Sequence, residues 1–488
     1  MATTTSLAAP PPVVFNERQG RLTTRLLLVY CFMLYSRVFE AAMAWGAPNL
    51  YVMLLLSGAG LMIVLFKGEF ARAVRTPTGF LFVLFTAWAI FILPFSHWKS
   101  ESLHQVTGVW LKSVAAYFII VGLTKDFSDS RKTFSVFGWA AAASAVIMAV
   151  TNRIVGERMT SVGTLGNSNE AAFHIMFGLP FIILLIPRVN KIWKIPLAAI
   201  ALLSLALSVK TASRAGLLMA AAMTLVALFR VSFANKFKII GVAVVALLIG
   251  VLSIDQTALE RYKTIFNSND SSMEAASARE SAESRKYLLK EGIELTLTHP
   301  LFGVGMGVFP SAASELSESR GEHPLWLVSH NSYVQASSEM GFVGFALLVA
   351  TFGACLIGIF KLDAMARRYQ LAEVRSMSLC ILLCFTALMI HYFFDAAAYD
   401  VYLPMAAGLC TSLFMTAQPL VAEAERRVGG PAEQPEQQPW SSGGAGPLSP
   451  GVEKQPVAGR VLPGRDDGRL PNGRNPYRLG RKRPSRRN

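Results

Sequence analysis

Residues 340–360 read Met340-Gly-Phe-Val-Gly-Phe-Ala-Leu-Leu-Val-Ala-Thr-Phe-Gly-Ala-Cys-Leu-Ile-Gly-Ile-Phe360 and contain no charged side chain. A helix of about 20 apolar residues, rising ~1.5 Å per residue, is long enough to cross the ~30 Å hydrocarbon core of a bilayer. Similar runs recur along the chain, which is 53% hydrophobic and only 16% charged. Soluble domains carry about 25% charged residues. The composition therefore excludes a soluble enzyme, a secreted disulfide scaffold and a fibrous protein, and it indicates an all-α polytopic membrane protein.

The apolar runs predict about twelve membrane-spanning helices, numbered in chain order as spans one to twelve. With the N-terminus placed in the cytoplasm, each internal segment carries three or four Lys or Arg, and each short external loop carries two at most. Positive side chains collect on the cytoplasmic side, so this asymmetry predicts that both termini are cytoplasmic. The predicted spans cover residues 26–45, 49–66, 79–96, 106–123, 133–151, 171–187, 193–209, 215–234, 237–254, 339–360, 375–395 and 399–418.

The chain divides by composition into five parts. The connection between spans nine and ten is the longest, and it holds a helix-like stretch, Ala275–Leu297, and a glycine-punctuated stretch, His299–Phe309. Folded loops of this length commonly carry function. The parts are a cytoplasmic N-terminus (1–25), spans one to nine (26–254), a large helical external loop (255–330), spans ten to twelve (331–420) and a disordered basic, Pro/Gly-rich cytoplasmic tail (421–488).

The formal net charge of +15 is not by itself a nucleic-acid signature, because of where the cations lie. The tail from Val421 carries 13 Lys or Arg against 7 Asp or Glu, and most other cations stand in short loops. A disordered basic tail of this kind favours contact with anionic membrane lipids. We therefore predict membrane lipids, and no nucleic acid, among the partners.

The cysteines and acidic residues form no recognisable metal pattern. All five cysteines lie in apolar runs, and no His or second Cys pair follows Cys380 and Cys384 at metal-ligand spacing. The sequence also has no Asp-x-Asp motif. These observations predict no disulfide, no metal site and no cofactor.

Two arginines are candidate cations on the external side. Arg214 stands at the external end of span eight, against the positive-inside trend, and Arg285 follows Glu283-Ser in the large loop. A guanidinium stays charged and presents a fork of donors, which favours binding of a phosphate. The structural alternatives are an arginine snorkelling at the membrane interface for Arg214 and a solvated helix face for Arg285.

His330 is the candidate general base. It ends the large loop, and Asn331 or Ser332 is expected to cap the helix of span ten. The positive end of the helix dipole disfavours imidazolium and keeps His330 neutral, as a base must be. The alternative is a histidine hydrogen-bonded at a loop–helix junction. Glu339 falls near the start of the apolar run, where a carboxylate usually has a partner.

A second polar external segment, residues 153–170, precedes span six. It contains Arg158, Asn167 and Asn169 among glycines and hydroxyl residues, and it suits either a lid or sugar contact or a plain interfacial loop. We predict Arg158, Asn167 and Asn169 as substrate-binding residues. Asn331 and Glu339 complete this predicted set.

Two further groups of charged residues lie within or beside spans. Arg37 and Glu40 are three residues apart in span one, a spacing that predicts an ion pair. His391, Asp395 and Asp400 lie near the external ends of spans eleven and twelve, within reach of the same cleft. A proton path is one interpretation of these residues, although no repeating acidic ladder supports it.

Taken together, these segments resemble the O-antigen ligase and O-antigen polymerase superfamily of bacterial envelope proteins over about residues 20–420. The order and spacing of five motifs agree with the family. The matching motifs are Gly166-Asn-Ser-Asn169, Ser213-Arg214-Ala-Gly-Leu217, Glu283-Ser-Arg285, Thr298-His-Pro-Leu-Phe-Gly-Val-Gly-Met-Gly307 and His330-Asn331 with Glu339-Met-Gly341.

The resemblance implies a metal-independent glycosyltransferase with a GT-C-like fold in the bacterial inner membrane. Its donor would be an undecaprenyl-diphosphate-linked glycan, and its acceptor hydroxyl would belong to lipid A-core, another glycan or a protein at the periplasmic face. Arg214 and Arg285 would stabilise the departing diphosphate, and His330 would accept the proton. Ligase and polymerase share this chemistry, and we favour the ligase. A secondary transporter is a further alternative, for which no matched helix breaks are visible.

Overall fold

The computed structural model describes residues 17–155, 158–161, 167–231, seven positions between 236 and 248, and 273–429. Most of predicted span nine, the start of the large loop and the tail beyond residue 429 lie outside these described residues. The elements are α1 (Glu17–Ser36), α2 (Val38–Ala44), α3 (Val52–Phe66), α4 (Glu69–Val74), α5 (Pro77–Phe91), α6 (Lys99–His104), α7 (Leu111–Leu123), α8 (Phe127–Thr151), β1 (Arg153–Val155), β2 (Arg158–Thr160), α9 (Ser168–Leu185), α10 (Lys191–Lys210), α11 (Arg214–Arg230), α12 (Met273–Thr298), α13 (Phe309–Ser319), α14 (Ser332–Arg368), α15 (Ala372–His391) and α16 (Tyr402–Gly429).

The described chain is an α-helical membrane protein with one short antiparallel hairpin, β1–β2. Eight of its helical segments are long and apolar enough to cross a bilayer, and they correspond to predicted spans three to seven and ten to twelve. Span one is a bent pair of helices, and span two is the shorter apolar helix α3. α11 occupies the position of span eight. The all-α polytopic architecture is therefore confirmed, whereas the count of twelve remains a prediction.

The break in span one lies at Arg37. α1 and α2 meet there at an angle of 53°, and Arg37 has a left-handed φ of 61°. Its guanidinium forms the predicted ion pair with Glu40 and donates to the Tyr402 hydroxyl at 3.0 Å. A charge among apolar helices is costly without such partners. The pairing thus explains how an arginine is accommodated in the first span.

The helical core surrounds α7 and α9. Every residue of α7 from Ser113 to Leu123 is buried, as are nearly all residues of α9. α7 packs against α16 and α3, while α9 packs against α8, α10 and α15. A helix that is buried on all sides needs apolar residues all round, which both sequences provide. These two helices form the centre around which the neighbouring helices pack.

A separate small core lies in the large loop, where α12 and α13 pack together. It contains Leu288 and Leu295 of α12 together with Val304, Val308 and Phe309. α12 also runs alongside the first turns of α14 in the same direction, because Gly292 lies against Val334 and the Thr296 hydroxyl lies 2.9 Å from the Ser337 hydroxyl. The second half of the large loop is therefore fixed to the start of span ten.

The glycine-punctuated stretch crosses α14 at a kink. Gly341 has φ 67° and ψ −175°, which interrupts the helix and frees backbone carbonyls. The amides of Val304 and Gly305 donate to the carbonyls of Ser338 and Glu339, at 2.8 and 2.9 Å. The Phe342 amide in turn donates to the Pro300 carbonyl at 2.8 Å. The backbone groups that the kink leaves unpaired therefore form hydrogen bonds with the loop.

Substituting Gly341 by alanine is expected to destabilise the protein by about 1–3 kcal/mol or more, since its backbone conformation is essentially restricted to glycine. An added Cβ would also lie 2.2 Å from the Leu301 carbonyl oxygen. Gly353→Ala on the same helix is the matched control, because a Cβ there meets no atom within 4 Å. Thermal unfolding in detergent measures the effect. Equal midpoints for the two variants would show that the kink is not required.

Candidate functional site

An open cavity of about 400 Å³ brings together residues that are far apart in the sequence. Its wall includes Arg214, Arg285 and His330, the three residues predicted to be catalytic. Asn169 and Asn331, two of the predicted substrate-binding residues, also line it. The motifs from the chain's middle and its large loop therefore meet at one place.

Three helix N-termini converge on this cavity. α9, α11 and α14 begin with side-chain caps from Asn167, Ser213 and Asn331, respectively. The N-terminal ends of helices carry partial positive charge and exposed amide groups, which favour an anion. The cavity therefore combines fixed backbone dipoles with charged side chains of the same sign.

The side chains of the wall are positive. Arg214, Arg285 and Lys286 contribute to it, and no Asp or Glu is among the described lining residues. Arg214 is the first residue of α11, whereas Arg285 and Lys286 stand on α12. Cations from two different elements can contact opposite sides of one bound group. This charge pattern suits an anion with several oxygens, such as a phosphate or diphosphate.

Arg214 is positioned by a contact between two helices. The Ser213 hydroxyl donates to Asn169 Oδ1 at 2.7 Å and accepts from the Gly216 amide at 3.2 Å. Asn169 thereby joins the starts of α9 and α11. The backbone of Ala212, just before the cap, has a left-handed φ of 48°. The constraint on both sides of Ser213 orients the first residue of α11 toward the cavity.

Arg285 lies within electrostatic range of His330 and Asp395. Asp395 follows α15, and its backbone carbonyl accepts from the Ser332 hydroxyl at 2.7 Å, so it is fixed to the start of α14. Burial raises the pKa of Asp395 to about 6, and the Ala396 amide and the charge of Arg285 oppose that rise. Asp395 Oδ2 is buried with no hydrogen-bond partner among the described residues, so the relation of Asp395 to Arg285 is one of charge.

His330 has the surroundings of a neutral imidazole. Burial lowers its pKa, and the positive charge of Arg285 lowers it further. Its Nδ1 is buried with no hydrogen-bond partner among the described residues. Its backbone is left-handed, with φ 49°, immediately before the Asn331 cap. Strain of this kind is retained where the surrounding structure requires the residue's position.

The remaining predicted residues have other surroundings. Asn331 Oδ1 accepts from the amides of Tyr333 and Val334, as expected for a cap, while Asn331 also lines the cavity. Asn167 caps α9 and is not among the described lining residues. The side chain of Arg158 lies outside the described residues, although its backbone pairs in the hairpin.

Glu339 lies away from the cavity wall and binds the large loop instead. Its buried carboxylate accepts from the Gly307 amide at 2.8 Å and from the Phe309 amide at 3.2 Å. The expectation that a carboxylate at this depth has a partner is confirmed. The partner is the protein's own backbone, because the Glu339 carboxylate accepts hydrogen bonds from the large loop.

Several wall residues were not among the sequence candidates. Lys286 adjoins Arg285 in the sequence, so its charge was a usable signal. Leu289, Phe393 and Phe394 are apolar and give no local indication of a site. Their positions depend on how α12 and the end of α15 pack. Asp395, predicted to reach the same cleft, lies within electrostatic range of Arg285.

Comparison with known proteins agrees with these motifs. Residues 198–349 match a protein-family model described as O-antigen ligase. The matched range includes Arg214, Arg285 and His330, and it supports the predicted resemblance to the O-antigen ligase-like superfamily. No curated protein matches the chain.

Proposed function

We propose that the protein is an O-antigen ligase-like glycosyltransferase that transfers a glycan from an undecaprenyl-diphosphate donor to an acceptor hydroxyl. The observation that carries the proposal is the cavity in which Arg214, Arg285 and His330 meet at three helix N-termini. The family match over residues 198–349 supports the same class of activity. The acceptor is lipid A-core or another surface glycan or protein.

In this proposal, Arg214 and Arg285 bind the donor diphosphate from two sides. As the bond between the anomeric carbon and the diphosphate oxygen breaks, negative charge grows on the leaving group. Preorganised cations and helix dipoles stabilise such charge more in the transition state than in the ground state. Lys286 adds a third positive charge to the same wall.

His330 then serves as the base for the acceptor. The acceptor oxygen forms the new bond to the anomeric carbon, and its proton passes to the neutral imidazole. The lipid diphosphate leaves with the electrons of the broken bond. A lowered pKa keeps His330 unprotonated at neutral pH, which is the state that the step requires.

Transfer is expected to persist in EDTA, because the arginines supply the positive charge that a divalent cation provides in other enzymes. Among the described residues, no group of three or more His, Cys, Asp or Glu side chains is arranged to hold a metal ion. Turnover of the purified protein, with and without EDTA, is the measurement. Loss in EDTA and recovery with Mg²⁺ or Mn²⁺ would contradict metal independence, with Asp395 and Asp400 the first residues to examine.

The orientation of the protein follows from the same proposal. In this proposal both termini are cytoplasmic, in keeping with the positive-inside rule, and the cavity faces the periplasm. Donor and acceptor would then meet on the side where surface polysaccharides are assembled. Cysteine substituted at residue 214 should react with a membrane-impermeant thiol reagent added from the periplasm. Cysteine substituted for the exposed Arg368 should not, and the reverse orientation would exchange the two results.

A polymerase of the same superfamily would use the same residues with a different acceptor. The family match supports a ligase- or polymerase-type activity, and the ligase is the form that we propose. Deletion of the protein in its own cell is the decisive test. Polymer that is made but left on the lipid carrier supports a ligase, whereas single repeat units attached to the acceptor identify a polymerase.

A further inference from the structure

One exposed face of α12 is apolar and begins inside the cavity. Leu289, Ile293 and Leu297 follow one another at intervals of four residues and are 38%, 49% and 65% exposed, and Leu301, three residues beyond the end of α12, is 61% exposed. On the opposite side, Leu288 and Leu295 are buried against α13 and the loop. Residues four apart lie near one another on a helix, so Leu289, Ile293 and Leu297 form a stripe, and Leu301 adds an exposed apolar side chain just past its end. We call these four residues the α12 stripe.

The α12 stripe leads from the cavity toward the hydrocarbon. α12 and the start of α14 run in the same direction, since Gly292 lies against Val334 and Pro300 accepts from the Phe342 amide. Phe342 stands ten positions beyond Ser332, so it lies about 15 Å along α14 from the external end of that span. The lower end of the stripe therefore reaches a depth at which span ten is apolar, and Phe342 is itself exposed there.

The positive charges of α12 lie at the end of the stripe that meets the cavity. Arg285 and Lys286 line the cavity at the upper end, and Lys290 is exposed one turn below. The exposed positions farther down the helix carry no cation. Leu289 belongs both to the cavity wall and to the stripe. The surface thus fits an amphiphile with an anionic head in the cavity and an apolar chain extending away from it.

We propose that the α12 stripe binds the isoprenoid chain of the lipid-diphosphate donor and guides it from the cavity into the outer leaflet. The inference rests on the proposed function and adds the path of the chain. A donor whose diphosphate contacts Arg285 places its first isoprene units beside Leu289. The following units then cover Ile293 and Leu297 instead of crossing water.

The test compares two donors that carry the same glycan diphosphate, one on a full-length polyprenyl chain and one on a single isoprene unit. The variant carries Ile293→Gln and Leu297→Gln, and Leu225→Gln at the far end of α11 is a control of similar exposure. In nanodiscs, the double variant is expected to raise KM for the long-chain donor about tenfold. It should leave kcat and the short-chain reaction unchanged, and the control should change neither.

Two results with the double variant would overturn the inference. An equal loss with both donors means that the stripe serves the fold, and no loss with either donor means that it contacts only bulk lipid. Failure of the wild type to use either donor would refute the proposed function itself. It differs from the two results above, in which the wild type is active. As a measurement without substitutions, a photoreactive diazirine near the diphosphate end of a polyprenyl diphosphate should label residues 287–302. Labelling confined to other helices overturns the path.

Discussion

Replacing Arg285 by alanine is expected to reduce glycan transfer by about 10²–10³-fold, and Arg214→Ala is expected to do the same. Both arginines line the cavity, Arg214 as the first residue of α11 and Arg285 from within α12, and the leaving diphosphate would gain charge between them. Lysine at either position should restore only part of the activity, because it keeps the charge but loses the donor fork. The measurement is turnover of a purified lipid-linked donor in nanodiscs.

Lys210→Ala is the matched control for the arginines. Lys210 ends α10 just before the Arg214 segment, is exposed and is not among the described wall residues. Its loss should leave turnover nearly unchanged. If both arginine variants keep wild-type turnover at normal expression, the diphosphate is bound elsewhere and the arginines are interfacial residues.

His330→Ala is expected to slow turnover by about 10²–10⁴-fold without weakening donor binding. The base works only when neutral, and the pKa of His330 lies below its ordinary value near 6.5. Activity of the wild type should therefore persist at neutral pH and fall on a limb below pH 6.5. His330→Gln should remove that limb. A pH–rate profile of each variant is the measurement.

Two controls separate His330 from its neighbours. Asp395→Asn should keep the acidic limb of the histidine even though the pKa of Asp395 is about 6. His323→Ala, at an exposed position of the large loop, should have the wild-type profile. An unchanged limb in His330→Gln with less than a tenfold loss of turnover would make His330 a structural residue. His299 and His391 would then be the next candidates for the base.

The sequence predicted those parts of the structure that depend on local chemistry. Long apolar runs require helices in a bilayer, and the Asn331 cap follows from its position before span ten. Arg214 and His330 were identifiable because each stands at the start of an apolar helix, where a charged or titratable side chain is uncommon. The shorter α3 and α11 show the limit of counting spans by composition alone.

The parts that could not be predicted depend on packing between distant segments. The position of Glu339 in an apolar run indicated a buried carboxylate. No local pattern shows that the amides of Gly307 and Phe309 would donate hydrogen bonds to it. Phe393 and Phe394 became wall residues only because α15 ends beside α14. The parallel placement of α12 on α14 likewise rests on the Gly341 kink, and a glycine in an apolar run does not indicate which neighbour it meets.

The wide sequence separation of the cavity wall has a consequence for biosynthesis. Its residues extend from Asn169 to Phe394, so the wall is complete only after the end of α15 has been synthesised and inserted. A nascent chain that has inserted α11 already carries Arg214, but it still lacks Arg285 and His330. Domains built from such distant contacts assemble late. The protein therefore passes through most of its membrane insertion without a site that could capture a lipid-linked substrate.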